Sequence, residues 1–238
     1  MGFSEALEQA AVNYGISLTN DQINAYNSYF NLLIEWNEKI NLTAITEPQD
    51  VAVKHIIDSL SCYSEEVFKP GAHIIDVGTG AGFPGLPLKI WQPNLKLTLL
   101  DSLNKRVNFL QTVVDILKID NVKVIHNRAE EGANKREYRE QYDVAVSRAV
   151  ARLNVLCELC MPFVKVGGYF VALKGAQYQS EVSEAQRALE VLGGEIFKIQ
   201  PVKLPGLDDV RAVVYIKKTK KTPKVYPRRP GTPEKKPL

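Results

Sequence analysis

The 238-residue chain has little of what metal or disulfide chemistry requires: three scattered histidines and three cysteines, Cys62, Cys157 and Cys160. An odd cysteine count in a chain of this size argues against a disulfide framework. Cys157-Glu158-Leu159-Cys160 matches C-x-x-C, but no second pair completes a zinc site and no strand leads into it, so it is read as helix packing. His55 and Asp58, three apart on a helix, are read as a cap or core contact, and no metal is expected. Apolar runs stay well short of the roughly eighteen residues that a membrane span needs. The N-terminus, Met1-Gly2-Phe3-Ser4-Glu5, lacks a basic region followed by a hydrophobic stretch, so a cytoplasmic location is expected.

What is present centres on Ile74-Ile75-Asp76-Val77-Gly78-Thr79-Gly80-Ala81-Gly82-Phe83-Pro84-Gly85. A short apolar strand runs into a turn whose glycines let the backbone approach a ligand, and Pro84 suits the first turn of a helix. Asp101 follows about twenty residues on, where a carboxylate at the next strand tip can accept hydrogen bonds from both hydroxyls of a ribose. An adenosine-bearing ligand would fit. Gly80, Gly82 and Gly85 also satisfy the dinucleotide fingerprint, but the acidic strand end at Asp76 repels a diphosphate and suits a cationic amino-acid or sulfonium group.

Charge is unevenly placed. Residues 217–238 hold nine Lys or Arg against Glu234 alone, a net +8 in a chain of net +3, which leaves −5 for the rest. Five prolines interrupt this tail, so residues 218–238 are expected to be extended, mobile and suited to polyanions.

Apolar positions at helical spacing fill the chain up to residue 70. Helices are expected over 4–14 and 21–39, from Pro48 through Ile57, and over 59–68. From residue 71 strands and helices alternate, the pattern of a parallel sheet with crossover helices. Strands are predicted at 74–77, 96–100, 122–126, 142–147, 168–173, 195–201 and 211–216, with helices at 105–117 and 180–192 among the connections. The last two strands are joined only by a loop and should pair antiparallel. The expected fold is α/β: a seven-stranded, Rossmann-like sheet of the adenosylmethionine-dependent methyltransferase layout with a reversed last strand. The predicted organisation is a helical cap (1–70), a cofactor-binding domain (71–217) and a tail (218–238).

In such sheets ligands lie beyond the carboxyl ends of the strands. Those positions carry Arg128-Ala129-Glu130, Ser147-Arg148-Ala149 and Lys174-Gly175. Ala129 and Glu130 are placed to meet an adenine ring, whereas Arg148 and Lys174 should border the substrate entrance.

Six blocks in order, Trp36 to Thr43, His55-Ile56-Ile57-Asp58-Ser59, the glycine stretch, Arg128-Ala129-Glu130, Ser147-Arg148-Ala149 and Ala172-Leu173-Lys174-Gly175, closely resemble the bacterial small-subunit ribosomal RNA guanine-N7 methyltransferases, also called glucose-inhibited division protein B. The resemblance spans about residues 20 to 216. It implies methyl transfer from S-adenosyl-L-methionine to N7 of a guanine in 16S rRNA near the decoding centre, with 16S rRNA or the small ribosomal subunit as partner. It places Gly78, Phe83, Ala129, Glu130 and Arg148 at the cofactor, and gives Arg128 and Arg148 roles in RNA binding or catalysis. Asp76, Gly80, Gly82 and Asp101 complete the expected cofactor set, Arg128 and Lys174 the substrate set. A monomer is expected.

Guanine N7 has a free lone pair, so alkylation there requires no dedicated base, and alignment should supply most of the acceleration. Ser147-Arg148-Ala149-Val150 stands where exocyclic-amine methylation usually carries an N-P-P-[YF]-like block, which disfavours amino-group transfer. N7 faces the deep groove of A-form RNA, so the target must be looped or turned out. Other classes compatible with the glycine stretch are a small-molecule methyltransferase, which would not require the basic tail, and a nicotinamide-dependent oxidoreductase. A non-enzymatic RNA-binding module is a further alternative.

Overall fold

The computed structural model describes residues 1–148 and 150–238; Ala149, in the Ser147–Ala149 block, lies outside the described residues. Helices α1 (Phe3–Tyr14) and α2 (Asn20–Ile40) open the chain. Thr19 starts α2 with a capping box: its hydroxyl accepts from Gln22 N at 3.2 Å, and the Gln22 side chain accepts from Thr19 N at 2.9 Å. Pro48 begins α3 (Pro48–Val51), which passes through π-helical turns over Ala52–Ile57 into α4 (Asp58–Leu60).

The separate helix expected over 59–68 does not form. Ser59 Oγ donates to His55 O at 2.5 Å and Ser61 Oγ to Asp58 O at 2.6 Å, side-chain bonds that compete for helix carbonyls where the helix ends.

The sheet follows: β1 (His73–Val77), α5 (Gly85–Trp91), β2 (Lys96–Asp101), α6 (Asn104–Leu117), β3 (Val122–His126), α7 (Ala129–Gly132), β4 (Tyr142–Arg148), α8 (Leu153–Cys160) and β5 (Val164–Lys174). It is completed by α9 (Tyr178–Glu184), α10 (Gln186–Leu192), β6 (Gly194–Val202) and β7 (Arg211–Lys218), before the short α11 (Thr232–Lys235). The single helix predicted over 180–192 is interrupted at the buried Ala185.

Among the described residues the strand order is β3-β2-β1-β4-β5-β7-β6. β1 to β5 pair in parallel, and β7 lies antiparallel between β5 and β6. The seven strands and the reversed final strand agree with the pattern read from sequence. Because β1 and β4 are covered on both faces, alternate residues feed different cores. Ile74, Val144 and Val146 join a core shared with the N-terminal helices, while Ile75, Val77 and Ala145 join one shared with α8 and α10.

The N-terminal helices are bonded to the sheet domain, not merely laid on it. Tyr26 OH donates to Pro87 O at 2.8 Å, Tyr29 OH donates to Ala81 O, and Tyr215 OH donates to Cys62 O at 3.1 Å. Two helical tyrosines are thereby fixed against the glycine turn and the helix that follows it.

The tail differs from the extended, mobile arm expected from its composition. Residues 218–238 fold back on the body, burying Lys218, Thr222, Pro227 and Pro233. Two of its cations meet acids of the body: Arg228 Nη2 lies 2.5 Å from Glu158 Oε2 and Lys218 Nζ lies 3.6 Å from Glu140 Oε1. Complementary charge on the body offsets the ordering cost that proline and lysine content alone would leave unmet.

Candidate active site

The carboxyl ends of β1, β2 and β4 carry the glycine turn, Asp101 and Arg148. Gly78 N and Thr79 N donate to Leu100 O at 2.9 and 3.2 Å, tying the turn to β2. Asp76 closes it from within. Its Oδ2 accepts from Thr79 Oγ1 at 2.7 Å and Gly85 N at 2.8 Å, while Oδ1 is buried without a partner among the described residues. Burial pushes this carboxyl up to about 7, against the opposing effect of those two hydrogen bonds. Asp76 is fully buried and does not line the cavity, so the structure places it under the turn and not in the position to face a cationic ligand that its acidity suggested.

The glycines divide by task. Gly82 has φ +104, and a Cβ there would lie 2.5 Å from Leu86 and 2.7 Å from the Tyr29 hydroxyl, so it is required by packing. Gly80, at φ +62, has nothing among the described residues within 4 Å of that position and lines an open cavity of about 390 Å³. Phe83, Asp101, Arg148 and His55 also line this cavity.

Asp101 stands at the tip of β2 as predicted. Its Oδ2 accepts from Gly80 N and its Oδ1 from Leu103 N, both at 2.9 Å, and Arg106 Nη1 lies 3.5 Å away. The carboxylate is thus fixed on the cavity wall with lone pairs left over, the geometry a vicinal diol requires.

A second cavity of about 190 Å³ adjoins the first at Gly78. Val77, Leu100, Leu156 and Leu159 give it apolar walls, and Ala129, Glu130 and Arg128 line it as well. A slot with apolar walls and a buried carboxylate suits a purine base. The residues present therefore fit an adenosyl group: the diol at Asp101, the base beside Ala129 and Glu130, and the remainder over Gly78 and Gly80.

Arg148 occupies the opposite side. Its Nη1 donates to Asp58 Oδ2 at 2.8 Å and to Lys54 O at 3.0 Å, and its guanidinium lies 4.9 Å from the Phe83 ring centroid. His55 stacks on Phe83 at 4.5 Å, its Nδ1 is 3.2 Å from Arg148 Nη2, and its Nε2 is 2.8 Å from Thr43 Oγ1. Nδ1 also lies 3.2 Å from the Lys54 carbonyl oxygen, so it faces an arginine that can only donate and a carbonyl that can only accept. Burial, reinforced by the arginine, lowers His55 to about 3, so it is neutral near pH 7.

A third cavity, about 550 Å³, lies beyond this cluster and shares Arg148 and His55 with the first. Lys174, Arg211, Asp58 and Lys54 line it. Lys174 is already engaged: its Nζ lies 2.6 Å from Glu181 Oε2 and 2.8 Å from Ala151 O.

The structure thus groups Gly78, Gly80, Phe83, Asp101 and Arg148 around one cavity and Ala129 and Glu130 around its neighbour. Arg128 lines the base slot, and Arg148 lines the two larger cavities. His55 and Asp58 were read as capping or core residues; the structure makes them the partners of Arg148. The His-x-x-Asp spacing was visible, but the residue it served lies 90 positions away. Both C-x-x-C cysteines are buried within α8, and burial raises both thiols, as packing residues require.

Solved structures share this architecture at low identity. They include M. jannaschii TYW2 in complex with AdoMet, at TM-score 0.51 and 13% identity over 63% of this chain and 70% of that one. The YcgJ protein of Bacillus subtilis matches at TM-score 0.51 and 13% identity, over 68% of this chain and 98% of its own. These likenesses concern the fold alone. Sequence relatives are far nearer. The ribosomal RNA small subunit methyltransferase G of Desulforamulus reducens is 52% identical over 98% of this chain and 97% of its own. That of Alkaliphilus oremlandii is 50% identical over the full length of both. Residues 22–206 match the family described as rRNA small subunit methyltransferase G, and the chain belongs to that family.

Proposed function

We propose that the protein transfers a methyl group from S-adenosyl-L-methionine to N7 of one guanine of 16S rRNA near the decoding centre, acting in the cytoplasm on the small ribosomal subunit. The observation that carries this is the shared wall: Arg148 and His55 line both the cavity that suits the adenosyl donor and the larger cleft open to a substrate. The bound donor supplies an electrophilic sulfonium methyl. The chain's own residues hold and align. Asp101 accepts from the ribose hydroxyls, Ala129 and Glu130 flank the base, and Gly80 leaves room where a side chain would intrude.

Arg148 and Phe83 border the place where donor and acceptor meet. Asp58 balances the Arg148 charge, so a cationic donor is not repelled by an unpaired guanidinium. Guanine N7 offers a lone pair without losing a proton, so the neutral His55 is not required as a base. Lys54 and Arg211 at the cleft, together with exposed tail residues such as Lys221 and Lys224, would hold phosphates while the cleft receives the base. Lys174 serves this cleft through its contacts with Glu181 and Ala151, and Arg128 serves the outer end of the base slot.

The helical cap of residues 1–70 belongs to the site in this account, since Thr43, His55 and Asp58 come from it. The experiment is a tritiated-methyl transfer assay on naked rRNA and on 30S particles from a strain lacking the enzyme, with mapping of the modified nucleotide. Incorporation at a guanine N7 is expected; label on an exocyclic amine, or on neither substrate, would refute the proposal.

A further inference from the structure

The base slot is not closed by the sheet domain alone. Gly231, Pro233 and Glu234, from the last eight residues of the chain, line it together with Ala129, Glu130 and Leu156. Pro233 is buried there, and Gly231 N donates to Glu130 Oε1 at 3.1 Å. The tail is therefore bonded to the same carboxylate that flanks the base.

The tail is held there by a strong anchor. Glu158 of α8 is 1% exposed. Its two oxygens are met by Arg228: backbone N at 2.8 Å, Nε at 2.9 and 3.1 Å, and Nη2 at 2.5 Å. A buried carboxylate stripped of such a partner is costly, so the tail and α8 dock as a unit. Arg139 adds a clamp, donating to Tyr226 O at 2.9 Å and Thr222 O at 3.0 Å. The family match ends at residue 206, so none of this segment falls within it.

We propose that residues 231–234 form a wall of the cofactor's base slot and that Arg228, through Glu158, is the positioning residue that sets this wall in place. This rests on the S-adenosylmethionine reading of the site. A packed proline and a hydrogen-bonded Gly231–Glu130 contact keep water from the base and orient the carboxylate beside it. Without them the slot opens on one side and Glu130 loses its donor.

The test is calorimetric titration of S-adenosylhomocysteine into four proteins: the full chain, a chain ending at Pro230, Pro233→Asp and Arg228→Ala. Ligand-free melting curves serve as the control for folding. The chain ending at Pro230 keeps the Arg228 and Arg139 anchors, and Pro233→Asp keeps the whole tail, so either decides the matter if the other fails to fold. Affinity is expected to fall tenfold or more in both, with ligand-free melting little changed. In Arg228→Ala the preference for S-adenosylhomocysteine over S-inosylhomocysteine should also shrink, which a loss of stability alone would not cause. Binding within twofold of the full chain in both wall variants would overturn the inference and leave the cofactor assignment standing. Failure of the full chain itself to bind would instead remove the assignment on which the inference rests.

Discussion

Arg148 and Asp58 are 90 residues apart in the chain, yet Nη1 and Oδ2 lie 2.8 Å apart, with side chains only 13% and 7% exposed. Arg211 Nη1 approaches the other Asp58 oxygen at 3.3 Å, so one carboxylate sets two guanidinium groups at the cleft. Removing one partner of a buried pair costs about 3–5 kcal/mol, because the other is left uncompensated. Asp58→Ala should therefore lower the melting temperature and, by releasing Arg148, reduce methyl transfer at least tenfold. A variant that melts and turns over like the parent would show that the pair organises nothing.

Asp101 offers a cleaner separation of binding from folding. Hydrogen bonds to a charged group contribute about 1.5–3 kcal/mol, so Asp101→Ala should weaken S-adenosylhomocysteine binding roughly tenfold to hundredfold by calorimetry. Some stability is lost as well, since Gly80 N and Leu103 N lose their acceptors. Unchanged affinity would exclude the carboxylate from ribose binding.

His55 links the site to pH. Burial first, and the neighbouring Arg148 second, lower it from 6.5 to about 3. The unfolded chain binds a proton below 6.5 that the folded chain refuses until about 3. The stability this residue contributes is thus present above pH 6.5 and is lost as pH falls through that window. Urea titrations at pH 7 and pH 4.5 should show the parent losing about 2 kcal/mol more than His55→Gln between the two conditions. Equal losses would mean that the imidazole does not titrate as its surroundings require.

Two glycines of one turn should respond differently to the same methyl group. Gly82→Ala drives a Cβ into Leu86 and the Tyr29 hydroxyl at positive φ, and should destabilise the fold by about 2 kcal/mol or more in denaturant titrations. Gly80→Ala finds open space, so it should cost only about 1 kcal/mol for its left-handed backbone while lowering donor affinity in the cavity it lines. If the two variants unfold alike, the division of labour between the glycines is wrong.

Much of the site was legible because it lies on local features. Gly78, Gly80 and Asp101 follow from a strand, a turn and the next strand tip, and the structure brings them to one cavity. Asp76 shows where such reasoning fails. An acid at a strand end looks like a ligand contact, but whether its carboxylate turns outward to the cavity or inward to Thr79 and Gly85 depends on packing that no local pattern encodes. The tail fails for a related reason: proline and lysine content describes the cost of ordering a segment, not the acids on another element that offset it.

Strand count, the reversed last strand, the glycine turn and the position of Asp101 were readable along the chain, because periodicity, turn chemistry and strand-end placement act over a few residues. Packing alone brings His55 and Asp58 to Arg148, and Gly231 and Pro233 to the slot beside Glu130. Those relationships join residues up to about a hundred positions apart. Their distances are set by how helices and strands pack in three dimensions, which spacing along the chain does not carry.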